Sequence, residues 1–433
     1  MSVGLFFLVF FLLLFAALPI AGCFAFMTVF PNIITGTFSI DSVMAVRTMA
    51  NGLNSFTLLA IPLFVLAGII MAGGGISEKL FNFFAYFVGN RTAGYPCAVV
   101  ATCLFYGAIS GSAPATTAAV GSMTIPLLIG LGYDKRFTVA LVAVAGGLGV
   151  IIPPSIPFVV YGTSASVSTT SLFMAGILPG LLIGALLMAY AIFYCRRHGA
   201  DSALLESNYR QVREKGFLHI LKDSGPALLS PLFVLGSIYG GLASPTEAAA
   251  ISVVYSLLLS VFVYKTIRPR DIFKVIGEGV QNYAALLFII SAAVGFARVL
   301  NMLRVPQVVE SAIVGVVDSK IALLLIVVVI LLIAGCFIDT IPAIMIFTPI
   351  FLPLTQRFGV DPIHFGIVMT VALAIGFVTP PMGINLFVAS NLTGLPIVQI
   401  AKRAIPMIIM FFYSATDHRL RPSAVPAAGL TAW

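Results

Sequence analysis

The sequence is poor in charge. Of its 433 residues only 9% are charged, whereas 60% are hydrophobic, and the mean hydropathy is +1.11. A soluble domain carries roughly 25% charged residues. A chain with so few cannot cover a surface that faces water, and this excludes an ordinary soluble enzyme or binding module. The many long apolar runs predict an all-α polytopic membrane protein instead.

The chain is equally short of residues that ligate metals or act as nucleophiles. None of its five cysteines forms a C-x-x-C pair, and its four histidines do not cluster. Cysteines inside apolar segments are typical of small buried side chains. The sequence therefore predicts neither a zinc site nor a membrane enzyme.

The net charge of +8 does not indicate a partner nucleic acid, because the basic residues gather in two loops between apolar runs. These loops are Cys195–Asp223 and Lys265–Lys274, and their composition is typical of the cytoplasmic side of a membrane protein. The N-terminal run Val3–Phe30 is too long for the apolar part of a signal peptide and lacks a basic start. We expect it to be kept as the first membrane helix.

Two apolar segments are interrupted in the same way by a pair of prolines. "GVIIPPSIPFVV" (Gly149–Val160) and "GFVTPPMGINLF" (Gly376–Phe387) each place a glycine four residues before the first proline. They lie 227 residues apart, and at this offset four of the eight prolines between residues 52 and 179 meet another proline. Chance would give roughly half a match at this proline content, so the sequence predicts an internal duplication.

Interrupted helices inside a membrane have a specific use. Proline removes a backbone donor and glycine permits a sharp turn, so carbonyl groups are freed. Such backbone survives in a bilayer only where protein or a wet cavity covers it. Matching interruptions in duplicated halves are typical of secondary transporters, with carbonyl and hydroxyl oxygens for a cation and half-helix N-termini for an anion. The halves are inverted if an odd number of crossings separates them, which the sequence leaves open.

Two further segments match at the same offset. "YGAISGSAPATTAAVGS" (Tyr106–Ser122) predicts a re-entrant hairpin, and its counterpart "AGCFIDTIPAIM" (Ala334–Met345) aligns Asp339 with Ser112. An acidic side chain in an apolar setting is a functional candidate by default. The alternative for Asp339 is a helix N-cap at Thr340.

Other polar residues also have two interpretations. The hydroxyls of Ser110–Thr117 suit a binding site or the close packing of small residues. Arg298 is an anion ligand or a snorkelling arginine near a helix end. Glu247 completes a capping box with Ser244, so we expect a structural role for it.

The sequence resembles the large membrane subunit of tripartite ATP-independent periplasmic (TRAP) transporters from about residue 5 to residue 410. The segments that carry the resemblance are "LLAIPLFVLAGIIM" (Leu58–Met71), "GAISGSAPATTAAVGSMTIP" (Gly107–Pro126), "GGLGVIIPPSIPFVVYG" (Gly146–Gly162), "GLASPTEAAA" (Gly241–Ala250) and "GFVTPPMGINLFVAS" (Gly376–Ser390).

The resemblance implies an elevator-type transporter of the bacterial inner membrane, with inverted repeats, two re-entrant hairpins and broken helices. It implies sodium-coupled import of an organic acid, of the C4-dicarboxylate or sialic acid class. It further implies two partners, a periplasmic substrate-binding protein and a small four-helix membrane subunit, which we expect to be a separate polypeptide. The alternatives are a stand-alone sodium-coupled carboxylate carrier and, less favoured by paired interruptions, a channel.

The resemblance also implies site residues. The first hairpin is expected near Ser110–Thr117 and the second near Thr379–Asn385. The residues expected around sodium are Ser110, Gly111, Gly335, Asp339, Gly376, Thr379, Pro380 and Gly383. The residues expected around the substrate are Ser112, Thr116, Thr117, Asn385 and Arg298.

The domain organisation follows from these patterns. We predict a first repeat over residues 1–195 with a hairpin near 107–126, a cytoplasmic connection over 196–224, a second repeat over 225–413 with a hairpin or broken helix near 335–390, and an atypical polar tail over 414–433. The family pattern continues a membrane helix where this tail begins, so we expect the last helix to be truncated or replaced.

Overall fold

A computed structural model describes residues 3–35, 42–199, 202–214, 216–314, 317 and 319–416. These residues form twenty α-helices and no strand. The helices are α1 (Val3–Phe15), α2 (Ile20–Thr35), α3 (Ser42–Gly52), α4 (Ala60–Gly73), α5 (Ile76–Val88), α6 (Gly94–Ser110), α7 (Ala113–Gly130), α8 (Lys135–Gly146), α9 (Ile156–Ala165), α10 (Thr169–His198), α11 (Ser202–Glu214), α12 (Phe217–Tyr239), α13 (Pro245–Leu258), α14 (Ile272–Met302), α15 (Val305–Val314), α16 (Lys320–Phe337), α17 (Thr340–Arg357), α18 (Pro362–Gly376), α19 (Ile384–Thr393) and α20 (Ile397–Thr416).

Many helices are shorter than a bilayer is thick. Within the described ranges, five are long and apolar enough to cross a membrane, and a sixth span forms if α3 and α4, which are bent by 68°, count as one. About 20 residues are needed to cross the hydrocarbon core. The shorter helices therefore cross in pairs or enter and return. The polar tail predicted from residue 414 lies outside the described residues beyond Thr416.

The helices repeat in order at the offset of 227 residues, as the sequence predicted. α1 to α10 correspond to α12 to α20, with α3 and α4 together matching the single long α14, and α11 lies in the connection. The N-caps repeat as well: Ser112 and Asp339 begin α7 and α17, and Asp134 and Asp361 begin α8 and α18. Each of these side chains accepts a hydrogen bond from a backbone N–H group in the first turn.

α6 and α7 form the first re-entrant hairpin. α6 ends at Ser110, Gly111 turns with a φ of +60°, and Ser112 begins α7. Glycine adopts this backbone conformation without a steric cost. At the base of the hairpin the Tyr133 hydroxyl donates to the Thr92 carbonyl at 2.7 Å, which ties the start of α6 to the end of α7.

α16 and α17 form the second hairpin. It turns at Asp339, and its base is closed by Lys320, whose ammonium donates to the Gly359 carbonyl at 2.7 Å. The resemblance had placed this hairpin near Thr379–Asn385. That segment instead interrupts a span, because α19 does not fold back along α18 but packs on α7 and α8 of the other repeat.

Each hairpin is followed by an interrupted span, α8 with α9 and α18 with α19. The packing across repeats is reciprocal: α9 lies on α17, as α19 lies on α7. Tyr161 in α9 donates to the carbonyl of Pro362, at the base of the second hairpin, at 2.6 Å. Asp134, at the start of α8, follows the base of the first hairpin. The two bases thus lie at opposite ends of one span, so the hairpins enter from opposite sides and the repeats are inverted.

The helices form two bundles. The scaffold bundle consists of α1 to α4 and α12 to α14, in which α4 packs on α13 and α2 on α14. The hairpin bundle consists of α6 to α10 and α16 to α20. α5 packs on both α6 and α12, and α15 on both α14 and α17, so these two helices bridge the bundles.

The base of the first hairpin lies on the face of the molecule that also carries α11. α11 is fastened there, since the Tyr95 hydroxyl donates to Asn208 Oδ1 at 2.8 Å. Basic side chains concentrate on this face, which is the pattern of cytoplasmic loops. They are Arg91, Lys135, Arg136, Arg196, Arg197, Arg210, Arg213, Lys402 and Arg403.

The hairpin base yields a test of stability. Tyr133→Phe removes the bond to Thr92 and leaves that carbonyl without this donor, so we expect a loss of about 1 kcal/mol. The midpoint temperature of thermal unfolding in detergent should fall by a few degrees. Tyr283→Phe is the control, because the hydroxyl of Tyr283 has no partner among the described residues. An equal shift in both variants would contradict a role of the bond.

Candidate functional site

The tips of the two hairpins meet at one cavity of about 700 Å³. The first tip contributes Ser110, Gly111 and Ser112, and the second contributes Asp339 and Thr340. α7 and α17 both begin here, so their N-termini, which carry partial positive charge, face the same space. The cavity thus joins the two halves of the duplication.

The cavity runs from the hairpin tips towards the face that carries the base of the first hairpin. One wall is α4, from Val65 to Ala72, and the facing wall is α7, from Ser112 to Met123. Glu78 lies at the far end, beside Lys79, whose ammonium binds the Asp223 carboxylate of α12 at 2.7 Å. α12 follows the basic connection directly, so the cavity opens towards the face that carries that connection.

The charge of the lining is negative. Glu78 and Asp339 are its two carboxylates, and the described lining contains no lysine, arginine or histidine. Asp339 is half-buried and caps α17, with Oδ1 accepting from the Thr340 N–H at 2.6 Å. Oδ2 accepts no hydrogen bond from the described residues. Asp339 is thus an N-cap, the structural alternative considered for it, and a cavity residue as well.

Oxygen atoms cluster behind the first tip. The hydroxyls of Ser110 and Thr116 lie 2.9 Å apart, and Thr116 Oγ1 donates to the Ser112 carbonyl at 2.8 Å. Gly149, in the first interrupted span, faces this cluster without a side chain. A Cβ there would overlap Thr116 Oγ1 and lie 2.7 Å from the Ser112 carbonyl oxygen. This close approach of bare backbone explains why glycine occupies position 149.

The second tip and the second interruption are joined more tightly through backbone. A Cβ on Gly376 would lie 2.5 Å from the Gly335 Cα, so α16 and α18 touch at these two glycines. Gly383 has a φ of +52°, and its N–H donates to the Cys336 carbonyl at 3.3 Å. These three glycines fix the second tip against the broken span rather than line the cavity.

The remaining predicted cation residues lie elsewhere. Thr379 and Pro380 line a separate, apolar groove of about 540 Å³ between α16 and α20. Thr379 Oγ1 donates to the Ile375 carbonyl at 2.8 Å, and Pro380 is exposed. Of the eight predicted cation residues, Ser110, Gly111 and Asp339 line the cavity.

The predicted substrate residues also separate into groups. Ser112 lines the cavity, and Thr116 lies beneath it. Thr117 and Asn385 are fully buried against α8, where Asn385 Nδ2 donates to the Ala143 carbonyl at 3.0 Å. Their oxygens, Thr117 Oγ1 and Asn385 Oδ1, find no partner among the described residues. Arg298 is exposed on α14, outside the described lining.

Some lining residues were missed by sequence analysis. Glu78, Asn282 and Ser122 line the cavity, as does Gly68 of α4. Glu78 aligns with Val305 at the repeat offset, so a search for duplicated polar positions passes over it. Gly68 aligns with Gly295 at the same offset.

An all-helical membrane fold, inverted repeats, paired hairpins and a central cavity define a carrier. Comparison with known proteins identifies the family: residues 7–415 match the tripartite ATP-independent periplasmic transporter, DctM component. The chain belongs to this family, the TRAP transporter large permease subunits. It is a transporter subunit rather than an enzyme.

Relatives span nearly the whole chain. The isethionate TRAP transporter permease protein DctMQ of Oleidesulfovibrio alaskensis is 43% identical over 87% of this chain, which spans only 58% of that protein. The C4-dicarboxylate TRAP transporter large permease protein DctM of Pseudomonas aeruginosa is 40% identical, with 87% of each chain covered. The sialic acid TRAP transporter large permease protein SiaM of Vibrio cholerae is 32% identical, with 92% of each covered.

Solved structures support the fold. The YdaH transporter of Alcanivorax borkumensis superposes with a TM-score of 0.60 at 16% identity, over 92% of this chain and 96% of that one. MtrF of Neisseria gonorrhoeae gives a TM-score of 0.62 at 14% identity, over 92% and 94%. At these identities the likeness concerns architecture alone.

Substitutions at two glycines of one turn test the role of the oxygen cluster behind the first tip. We expect Gly149→Ala to lower transport by at least about tenfold, because its methyl group would displace Thr116 and the Ser112 carbonyl. Gly147→Ala should remain active, since the nearest atom to a Cβ there is Phe411 Cζ at 3.6 Å. Uptake into vesicles, normalised to the amount of folded protein, is the measurement. Equal activity of the two variants would contradict the role of the cluster.

Proposed function

We propose that this chain is the carrier subunit of a sodium-coupled importer of organic acids. The observation that carries the proposal is the meeting of two helix N-termini and one acidic side chain, Asp339, in a cavity between the repeats. Helix N-termini attract anions, and carboxylate and backbone oxygens attract small hard cations. The site therefore has the chemistry to hold both cargo and driving ion.

The charges favour joint binding of anion and cation. The lining offers an anion two helix N-termini and the Ser112 hydroxyl but no basic side chain. An anion beside Asp339 and Glu78 is repelled unless cations are present. Sodium at the Ser110 and Thr116 oxygens and at Asp339 would supply that compensation. The relatives named for isethionate, C4-dicarboxylates and sialic acid all concern organic anions, which supports this substrate class.

An elevator-like movement is the proposed means of alternating access. The cavity separates α4 from α7 on the cytoplasmic side, whereas α14 packs on α17, the repeat equivalent of that pair. In inverted repeats, exchange of these two arrangements opens the other side. The hairpin bundle would slide along the scaffold bundle to make the exchange.

The proposed assembly has three parts. The family is described as tripartite and periplasmic, which supports a soluble binding protein that delivers the acid and a small membrane subunit of about four helices. The setting is then the bacterial inner membrane. A stand-alone carrier is the second candidate, since this chain supplies both of the hairpin tips that meet at the cavity.

Reconstitution separates the two candidates. Uptake of labelled organic acids is measured in proteoliposomes, with and without a sodium gradient, the small subunit and the binding protein. We expect uptake only when the small subunit, the binding protein and an inward-directed sodium gradient are all present. Robust uptake by this chain alone would favour the stand-alone carrier, and uptake indifferent to sodium would contradict the coupling.

Charge and capping can be separated at Asp339. Asp339→Ser keeps an N-cap, the residue that Ser112 provides in the first repeat, but removes the carboxylate. We expect sodium-dependent uptake to fall by at least about tenfold while the protein still folds. Asp361→Ser, a cap outside the cavity lining, is the matched control and should stay active. Normal sodium dependence in Asp339→Ser would remove the carboxylate from the proposed ion site.

A further inference from the structure

The tip of the first hairpin packs against the scaffold bundle at Gly68 of α4. A Cβ on Gly68 would lie 3.2 Å from the Cα and 3.6 Å from the Cβ of Ser110. Both residues line the cavity, and Ser110 holds Thr116 through its hydroxyl. The absence of a side chain at position 68 thus lets the tip come to rest against the scaffold helix.

The second repeat differs at the equivalent positions. The equivalent of Gly68 is Gly295, and the equivalent of Ser110 is Phe337. A Cβ on Gly295 would meet Thr28 at 2.9 Å and Met49 at 3.2 Å, which are scaffold side chains. Phe337 is 53% exposed. The structure is therefore asymmetric at these positions, although the sequence repeat aligns them.

The difference between the two repeats at these positions corresponds to the side on which the cavity is open. On the cytoplasmic side the tip touches α4 and the cavity lies between α4 and α7. On the opposite side α17 packs along α14. If the repeats exchange arrangements during transport, α7 closes on α4 and Ser110 leaves Gly68. The contact then belongs to the cytoplasm-open state alone.

We propose that Gly68 is a positioning residue that seats the first hairpin in the cytoplasm-open state. This rests on the proposed alternating access. A side chain at position 68 would push against the backbone of Ser110, which cannot yield as a flexible side chain can. Such a side chain raises the free energy of the cytoplasm-open state relative to the state in which α7 closes on α4, and it thereby shifts the population.

The test compares Gly68→Ala and Gly68→Val with Gly295→Ala, all in the complete transporter reconstituted in vesicles. Each variant also carries Ser122→Cys, because Ser122 lies on the exposed cavity wall of α7. An impermeant thiol reagent is applied from the cytoplasmic side, and modification at position 122 is followed by mass spectrometry, with the native cysteines as internal references. Melting temperature in detergent identifies variants that fail to fold.

We expect Gly68→Val to slow labelling at position 122 by about fivefold and Gly68→Ala to slow it less, whereas Gly295→Ala leaves the rate unchanged. The Gly295 variant is the matched control, because its clash falls inside the scaffold bundle. Labelling rates that are equal in the folded Gly68→Ala and Gly295→Ala variants would overturn the proposal.

Failure of the underlying function would look different. With Gly68 intact, sodium and substrate should change the labelling rate at position 122. A labelling rate that neither sodium nor substrate alters would contradict alternating access itself, and with it the positioning role of Gly68. If sodium and substrate do change the labelling rate but the Gly68 variants leave it at its normal value, only the positioning role of Gly68 is contradicted.

Discussion

The backbone of a membrane protein has no water to bond with, and this constraint governs the structure. An interrupted helix leaves peptide groups unpaired, and each costs several kcal/mol in hydrocarbon. Here each interruption packs against a hairpin tip: Gly149 contacts the first tip, and Gly376 contacts Gly335 at the second. The breaks therefore persist because the backbone of the hairpins packs against them.

Inverted duplication allows two such interrupted segments to build one carrier. One hairpin with one broken span makes half a site, and a second copy entering from the opposite side completes it around a common cavity. The copies need not be identical, as Ser112 and Asp339 illustrate, since both cap a helix but only one bears a charge. Because the lining is acidic, the organic anion that we propose as cargo would need cations beside it, which is what the proposed coupled transport requires.

Sequence alone identified the helical membrane class, the duplication and a hairpin near Ser110–Thr117, because proline, glycine and small polar residues in apolar runs mark broken backbone. The internal repeat also aligned Ala334–Met345, where the second hairpin turns, with the first hairpin. The family resemblance misplaced the second hairpin near Thr379–Asn385, where glycines and prolines mark the break in the following span. Sequence analysis also missed Glu78 and the role of Gly68, since both depend on which helix lies opposite, and no local pattern encodes that neighbour.

The central claim is that one site, shared by both hairpin tips, faces the two sides of the membrane in turn. The most direct measurement is thiol labelling of Ala115→Cys, an exposed cavity position next to the first tip, in vesicles of both orientations. The native cysteines are separated from it by peptide mapping. The account predicts labelling from either side, in proportions that sodium and substrate change. Labelling from the cytoplasmic side alone, under every condition, would contradict it.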